Sequence, residues 1–141
     1  FDSRSNSSVN TYRYRFYNTN GLVGSIRTSG STTFFDTSSD YRLKENVVPF
    51  EKGIETIKQL KPSQFNYIAD PDTTMEGFIA HEVQEVVPLA ANGEKDATDD
   101  NGILPQSVDL AKLVPHLTAA LKEAIAKIET LETKVAALEA K

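Results

Sequence analysis

Ser39 and Lys44 stand five residues apart, a hydroxyl and an amine of the kinds that act as nucleophile and base in Ser-Lys peptidases. Spacing alone gives them no such role. A serine after a serine-rich stretch is ordinarily a turn or cap residue, and a lysine ordinarily keeps its amine in water. The two histidines, His81 and His116, have no partner at a spacing that resembles a zinc site. Asp96, Thr98, Asp99 and Asp100 invite a calcium reading. A loop starting at Asp96, however, has Asn101 where the sixth position calls for glycine and Ser107 where the twelfth calls for glutamate. A solvated acidic loop is expected instead. No phosphate loop of the form G-x-x-x-x-G-K-S/T occurs. With no cysteine there is neither a disulfide framework nor a thiolate metal site. No metal and no cofactor is expected.

The elements that must position these residues change character along the chain. Tyr12, Tyr14 and Phe16 alternate with Arg13 and Arg15, a period of two that predicts a strand. Asn20-Gly21 is a hairpin turn signal, Leu22 to Arg27 reads as a second strand, and Thr32 to Phe35 as a third after Gly30. This front piece is too polar and too short to bury its own core. Beyond Ser38-Ser39 the chain is denser in Lys, Glu and aliphatic residues. Ile54, Ile57 and Leu60 predict a short helix ended by Pro62. Gln64 to Ile68 predicts a strand, Asp70-Pro71-Asp72 a turn, and Gly77 to Ala80 a strand feeding a short helix that stops at Pro88. Residues 89–106 read as a loop or irregular hairpin with turn signals at Asn92-Gly93 and Asn101-Gly102.

The tail carries the clearest period. Leu110, Leu117, Ala124, Leu131 and Leu138 fall at d of a heptad, and Val114, Leu121, Ile128 and Val135 at a. Ser107 is the expected N-cap, and Pro115 is tolerable only near the helix start. A helix of about 30 residues at 1.5 Å each is longer than the upstream apolar surface can cover, so a parallel coiled coil is expected.

The whole chain has 141 residues and a formal net charge of -5. The acidic balance argues against nonspecific nucleic-acid binding. No apolar run reaches the roughly 20 residues a bilayer span needs, and FDSRSNSSVN at the start has no signal-peptide core. Neither a nucleic-acid nor a membrane partner is expected.

Three blocks carry a family resemblance. SSDYRLKENVVPFEKGIETIKQLKPSQFNY at residues 38–67, GFIAHEVQEVVP at 77–88 and SVDLAKLVPHLTAALKEAIAKIETLE at 107–132 together resemble the intramolecular chaperone auto-processing domain of phage tail spikes, tail fibres and endosialidases. The resemblance implies an α+β fold: a small mixed head, with a long C-terminal helix in a parallel trimeric coiled coil and a strand-rich fibre segment in front. The implied domains are the end of the fibre at 1–38, the chaperone head at 39–106 and the coiled-coil helix at 107–141. It implies a homotrimer that templates the fibre upstream in the same chain, then releases itself by a single-turnover cut at Ser38–Ser39. Ser39 takes the family's nucleophile position and Lys44 that of its base. A lysine can serve as base only when neutral, and a free one titrates near 10.4, so burial on assembly is expected to switch it on. Asp40, Arg42, Asn46, His81 and Glu82 fall within the matched blocks as candidates for supporting roles, with turn, surface or structural roles as the alternative. The implied location is a tail-fibre precursor in the host bacterial cytoplasm, with the chaperone part absent from the mature virion. Two other readings remain: a noncatalytic trimerisation module kept on a structural fibre or adhesin, and the processing segment of a membrane-tethered transcription factor.

Overall fold

The computed structural model describes residues 9–140; the first eight residues of the expected fibre segment lie outside the described residues. The chain divides into two compact units between Val48 and Pro49.

In the first unit, β1 (Thr11–Asn18), β2 (Gly21–Ser29) and β3 (Thr32–Thr37) form an antiparallel sheet in the order β1-β2-β3. Gly21 at φ +90° makes the first turn, where the Asn18 carboxamide oxygen accepts from the Asn20 N–H at 2.8 Å. The β2–β3 register pairs Ser25 with Asp36 and Gly24 with Thr37. It is fastened by side chains as well: Arg27 Nε donates to Asp36 Oδ2 at 2.6 Å, and the buried Ser25 Oγ donates to the same oxygen at 3.3 Å. The Arg15 guanidinium lies 3.8 Å from the centre of the Tyr12 ring. Tyr14, Phe16, Tyr17 and Phe35 remain exposed.

The second unit contains α1 (Gly53–Ile57), the hairpin β4 (Ser63–Tyr67) and β5 (Asp70–Gly77), then α2 (Ala80–Val86). Four two-residue strands follow: β6 (Ala91–Asn92), β7 (Thr98–Asp99), β8 (Gly102–Ile103) and β9 (Ser107–Val108). β7 pairs with β8, and β6 with β9. A 3-10 turn over Leu110–Leu113 runs into α3 (Val114–Glu139). The core is small: Val83, Val87, Ala90 and Leu113, flanked by Leu60, Phe78, Val86 and Val108.

Three local expectations are corrected. The hairpin turn falls at Ile68-Ala69 rather than Asp70-Pro71-Asp72, because Asp70 already pairs with Tyr67. Pro71 lies in the bulge that follows, where its missing N–H breaks no ladder bond, and the Asn66 carboxamide donates to its carbonyl at 3.0 Å. The strand expected over Gly77 to Ala80 ends at Gly77, since Ile79 is already the N-cap of α2. Ser107 belongs to β9 and does not cap the tail helix. Asp109 caps the 3-10 turn that leads into it, its carboxylate accepting from the Ala111 N–H at 3.1 Å, and α3 itself starts from Leu113 without a side-chain cap.

Helix α3 shows two distinct faces. One holds α1: the Glu123 carboxylate accepts from the N–H of Gly53 and, at 3.2 Å, from that of Ile54, closing two donors that a helix start leaves open. The approach is so close that a Cβ on Gly53 would sit 2.0 Å from the Ala120 nitrogen. The other face is the heptad stripe, and Val114, Leu117, Leu121, Ile128, Leu131, Val135 and Leu138 are each more than half exposed on it.

The clearance at Gly53 yields a prediction. Gly53→Ala forces α1 and α3 apart, and overpacking of this kind costs about 1–3 kcal/mol. Urea unfolding should show a lower midpoint with a similar slope; an unchanged midpoint would contradict the packing described.

Candidate active site at the Ser38–Ser39 junction

The chain leaves the sheet at Ser38. Its N–H donates to the Val23 carbonyl at 3.1 Å, and its hydroxyl donates to the Leu22 carbonyl at 2.7 Å. Three residues later the backbone enters a 3-10 turn over Tyr41–Leu43. Asp40 caps that turn: its Oδ1 accepts from the Arg42 N–H at 2.9 Å and from Arg42 Nε at 2.9 Å, and Arg42 Nη2 lies 2.6 Å from Oδ2. The N–H groups of Leu43 and Lys44 donate to the carbonyls of Asp40 and Tyr41, both at 3.1 Å.

This turn converts a five-residue separation in sequence into contact. Lys44 Nζ donates to Ser39 Oγ at 2.7 Å, with both residues exposed. A charged ammonium can only donate. The neutral amine would present its lone pair along the same line, so this geometry serves a general base as well as a cation. Tyr41, Leu43, Val47 and Val48 around the turn are between 72% and 82% exposed, an apolar surround open to water in the single chain. Asn46 adopts a left-handed φ of 52°, a conformation asparagine takes more readily than most residues.

Electrostatics reinforce the turn. The Arg42 guanidinium, hydrogen-bonded to Asp40, holds that carboxyl below its usual 3.8, and the same pairing raises Arg42. The arginine is thus occupied in bracing the turn from two residues away. The remaining candidates sit elsewhere: His81 and Glu82 lie in the first turn of α2, in the second unit. Glu82 accepts from Lys61 Nζ at 3.1 Å, an exposed pair of the kind worth little to stability. In the acidic loop, Asp99 Oδ1 accepts from the Asn101 N–H at 2.7 Å, the geometry of a turn. Among the described residues no helix is long and apolar enough to cross a membrane.

Sequence reasoning had put Ser38 at the cut only as the residue before the nucleophile. Its two bonds to the sheet were not foreseen, because they depend on where β2 places the carbonyls of residues sixteen and fifteen positions earlier.

Residues 39–92 match the family model described as Chaperone of endosialidase. The match begins at Ser39, the residue whose hydroxyl the lysine holds.

The Asp40–Arg42 pairing has a pH consequence. A carboxyl whose folded value is depressed contributes stability above its ordinary 3.8 and loses it as the pH falls through the lower folded value. Carbon-detected NMR titration should place the Asp40 midpoint below 3.8 in the wild type and return it towards 3.8 in Arg42→Gln. Equal midpoints in the two proteins would contradict the bracing role of Arg42.

Proposed function

We propose, from the match of residues 39–92 to the chaperone-of-endosialidase family model, a family of self-cleaving intramolecular chaperones of trimeric phage fibre proteins, that the chain trimerises through α3, templates the fibre segment ahead of it, and releases itself by cutting Ser38–Ser39. The observation that carries this reading is the 2.7 Å contact between Lys44 Nζ and Ser39 Oγ, on the residue that follows the scissile carbonyl.

The chemistry balances within the chain plus one water. Neutral Lys44 accepts the proton of Ser39 Oγ as that oxygen attacks the Ser38 carbonyl carbon. The C–O bond forms, the C–N bond to Ser39 breaks, and Lys44 returns the proton to the departing Ser39 nitrogen. The product is an ester between the Ser38 acyl group and Ser39 Oγ. Water, with the same lysine as base, then hydrolyses it to a Ser38 carboxylate and a new N-terminal Ser39.

Assembly is the proposed trigger. The exposed a and d residues of α3 support a parallel coil. The apolar side chains flanking Lys44 are the surface whose burial by neighbouring copies would take its amine out of water, and burial disfavours the charged form. The precursor assembles in the host bacterial cytoplasm, and the part from Ser39 onwards leaves the finished fibre.

Intact mass after expression tests the reading. The parent should yield fragments of residues 1–38 and 39–141, while Ser39→Ala and Lys44→Met remain whole. The lysine substitution should slow cleavage by about a hundredfold or more. A folded, trimeric and uncut parent would contradict the proposal and favour a noncatalytic trimerisation module.

A further inference from the structure

The last rung of the β2–β3 ladder, Gly24 with Thr37, lies one residue before the bond proposed to be cut. The next residue, Ser38, continues the ladder through its N–H to the Val23 carbonyl at 3.1 Å and adds a side-chain bond from its hydroxyl to the Leu22 carbonyl at 2.7 Å. Two residues before it, Asp36 is tied across to Arg27 at 2.6 Å and to Ser25 at 3.3 Å. Immediately after it, the Ser39 hydroxyl is held by Lys44 at 2.7 Å. The scissile carbonyl belongs to Ser38, so it is borne by a residue anchored to the sheet, while the nucleophile is borne by a residue anchored to the 3-10 turn.

We propose that Ser38 is a positioning residue for self-cleavage: its hydroxyl bond to the Leu22 carbonyl fixes the scissile carbonyl against the strand-rich front segment, so that the cut waits on the β2–β3 hairpin being formed. This rests on the autoproteolysis proposed above. The physical ground is orientation. Attack requires the carbonyl face to be presented to Ser39 Oγ, and a misplacement of about 1 Å from the reacting geometry can cost a hundredfold in rate. A peptide bond with one side free to rotate samples that geometry only part of the time. With Ser38 held by two hydrogen bonds to one strand, it is held there by the folded sheet. Cleavage then reads the state of the fibre as well as that of the chaperone.

The test measures the first-order rate constant of cleavage in the assembled full chain, for the parent and for Ser38→Ala, Ser38→Thr and Thr33→Ala. Removal of one neutral hydrogen bond corresponds to about a three- to tenfold loss. Ser38→Ala should therefore cleave about three- to tenfold more slowly, while Ser38→Thr, which keeps the hydroxyl, should stay within about twofold of the parent. Thr33→Ala removes an exposed hydroxyl at the far end of the hairpin, opposite Thr28, leaves the hairpin formed, and should cleave like the parent. The midpoint of the pH–rate profile should be the same in all four, because the base is untouched. Equal rates for Ser38→Ala and the parent would overturn the inference while leaving autoproteolysis intact. So would a Ser38→Thr variant as slow as Ser38→Ala, or a Thr33→Ala variant slowed to the same degree. A parent that does not cleave at all would instead remove the reading on which the inference rests.

Discussion

A shortage of interior governs this molecule. The buried cluster of the second unit is built on Val83, Val87, Ala90 and Leu113, which is little for a chain of 141 residues. Meanwhile an entire heptad stripe on α3, the aromatic residues of the front sheet and the apolar residues beside Lys44 face water. Exposed apolar surface on this scale marks interaction sites. The proposed self-association through α3 would supply the missing interior with the same residues on every copy, and would hold the segments ahead of it at high effective concentration. Strand-rich fibres need that help, because nonlocal pairing must overcome loop-closure entropy before it is rewarded, and a slip of one residue turns side chains to the wrong face.

Within that frame the polar interactions have different tasks. Glu123 and Gly53 lock α1 to the side of α3 away from the heptad stripe, leaving the stripe free for other chains. Asp40 and Arg42 brace a single 3-10 turn, and that turn brings a lysine to a serine five residues away. The sheet ends on Ser38. The proposed nucleophile, base and scissile bond thus lie within seven consecutive residues, and the proposed control is environmental: water around Lys44 in the lone chain, apolar side chains around it in the assembly. Removal of the template after folding would leave a fibre that persists through a high unfolding barrier.

Much of this was legible in the sequence because it is local or periodic. The alternation of Tyr12, Tyr14 and Phe16 with arginines identified β1, Asn20-Gly21 its turn, and the heptad spacing the long helix. The α+β class followed from these. Misplaced elements were those where tertiary pairing outweighed a turn signal: Asp70-Pro71-Asp72 reads as a turn, yet Asp70 pairs with Tyr67 and the turn moves two residues upstream. Ser107 is a good cap by type, but its backbone is taken by pairing with Asn92, and Asp109 caps the 3-10 turn that leads into α3. The contact of Glu123 with Gly53 joins residues seventy positions apart and leaves no local trace. Ser39 and Lys44 were singled out by resemblance alone; their contact depends on the Asp40 cap, which short-range pattern reading had left among weaker candidates.

The central claim is that assembly switches on the Ser39–Lys44 pair. The most direct measurement is the cleavage rate of a chain kept monomeric by Leu121→Asp and Ile128→Asp on the heptad stripe, with its mass in solution checked by sedimentation and its fold by circular dichroism. The account predicts a folded monomer that cleaves about a hundredfold or more slowly than the assembled parent, the range that a positioned base contributes. A monomer that cleaves at the parent's rate would contradict it.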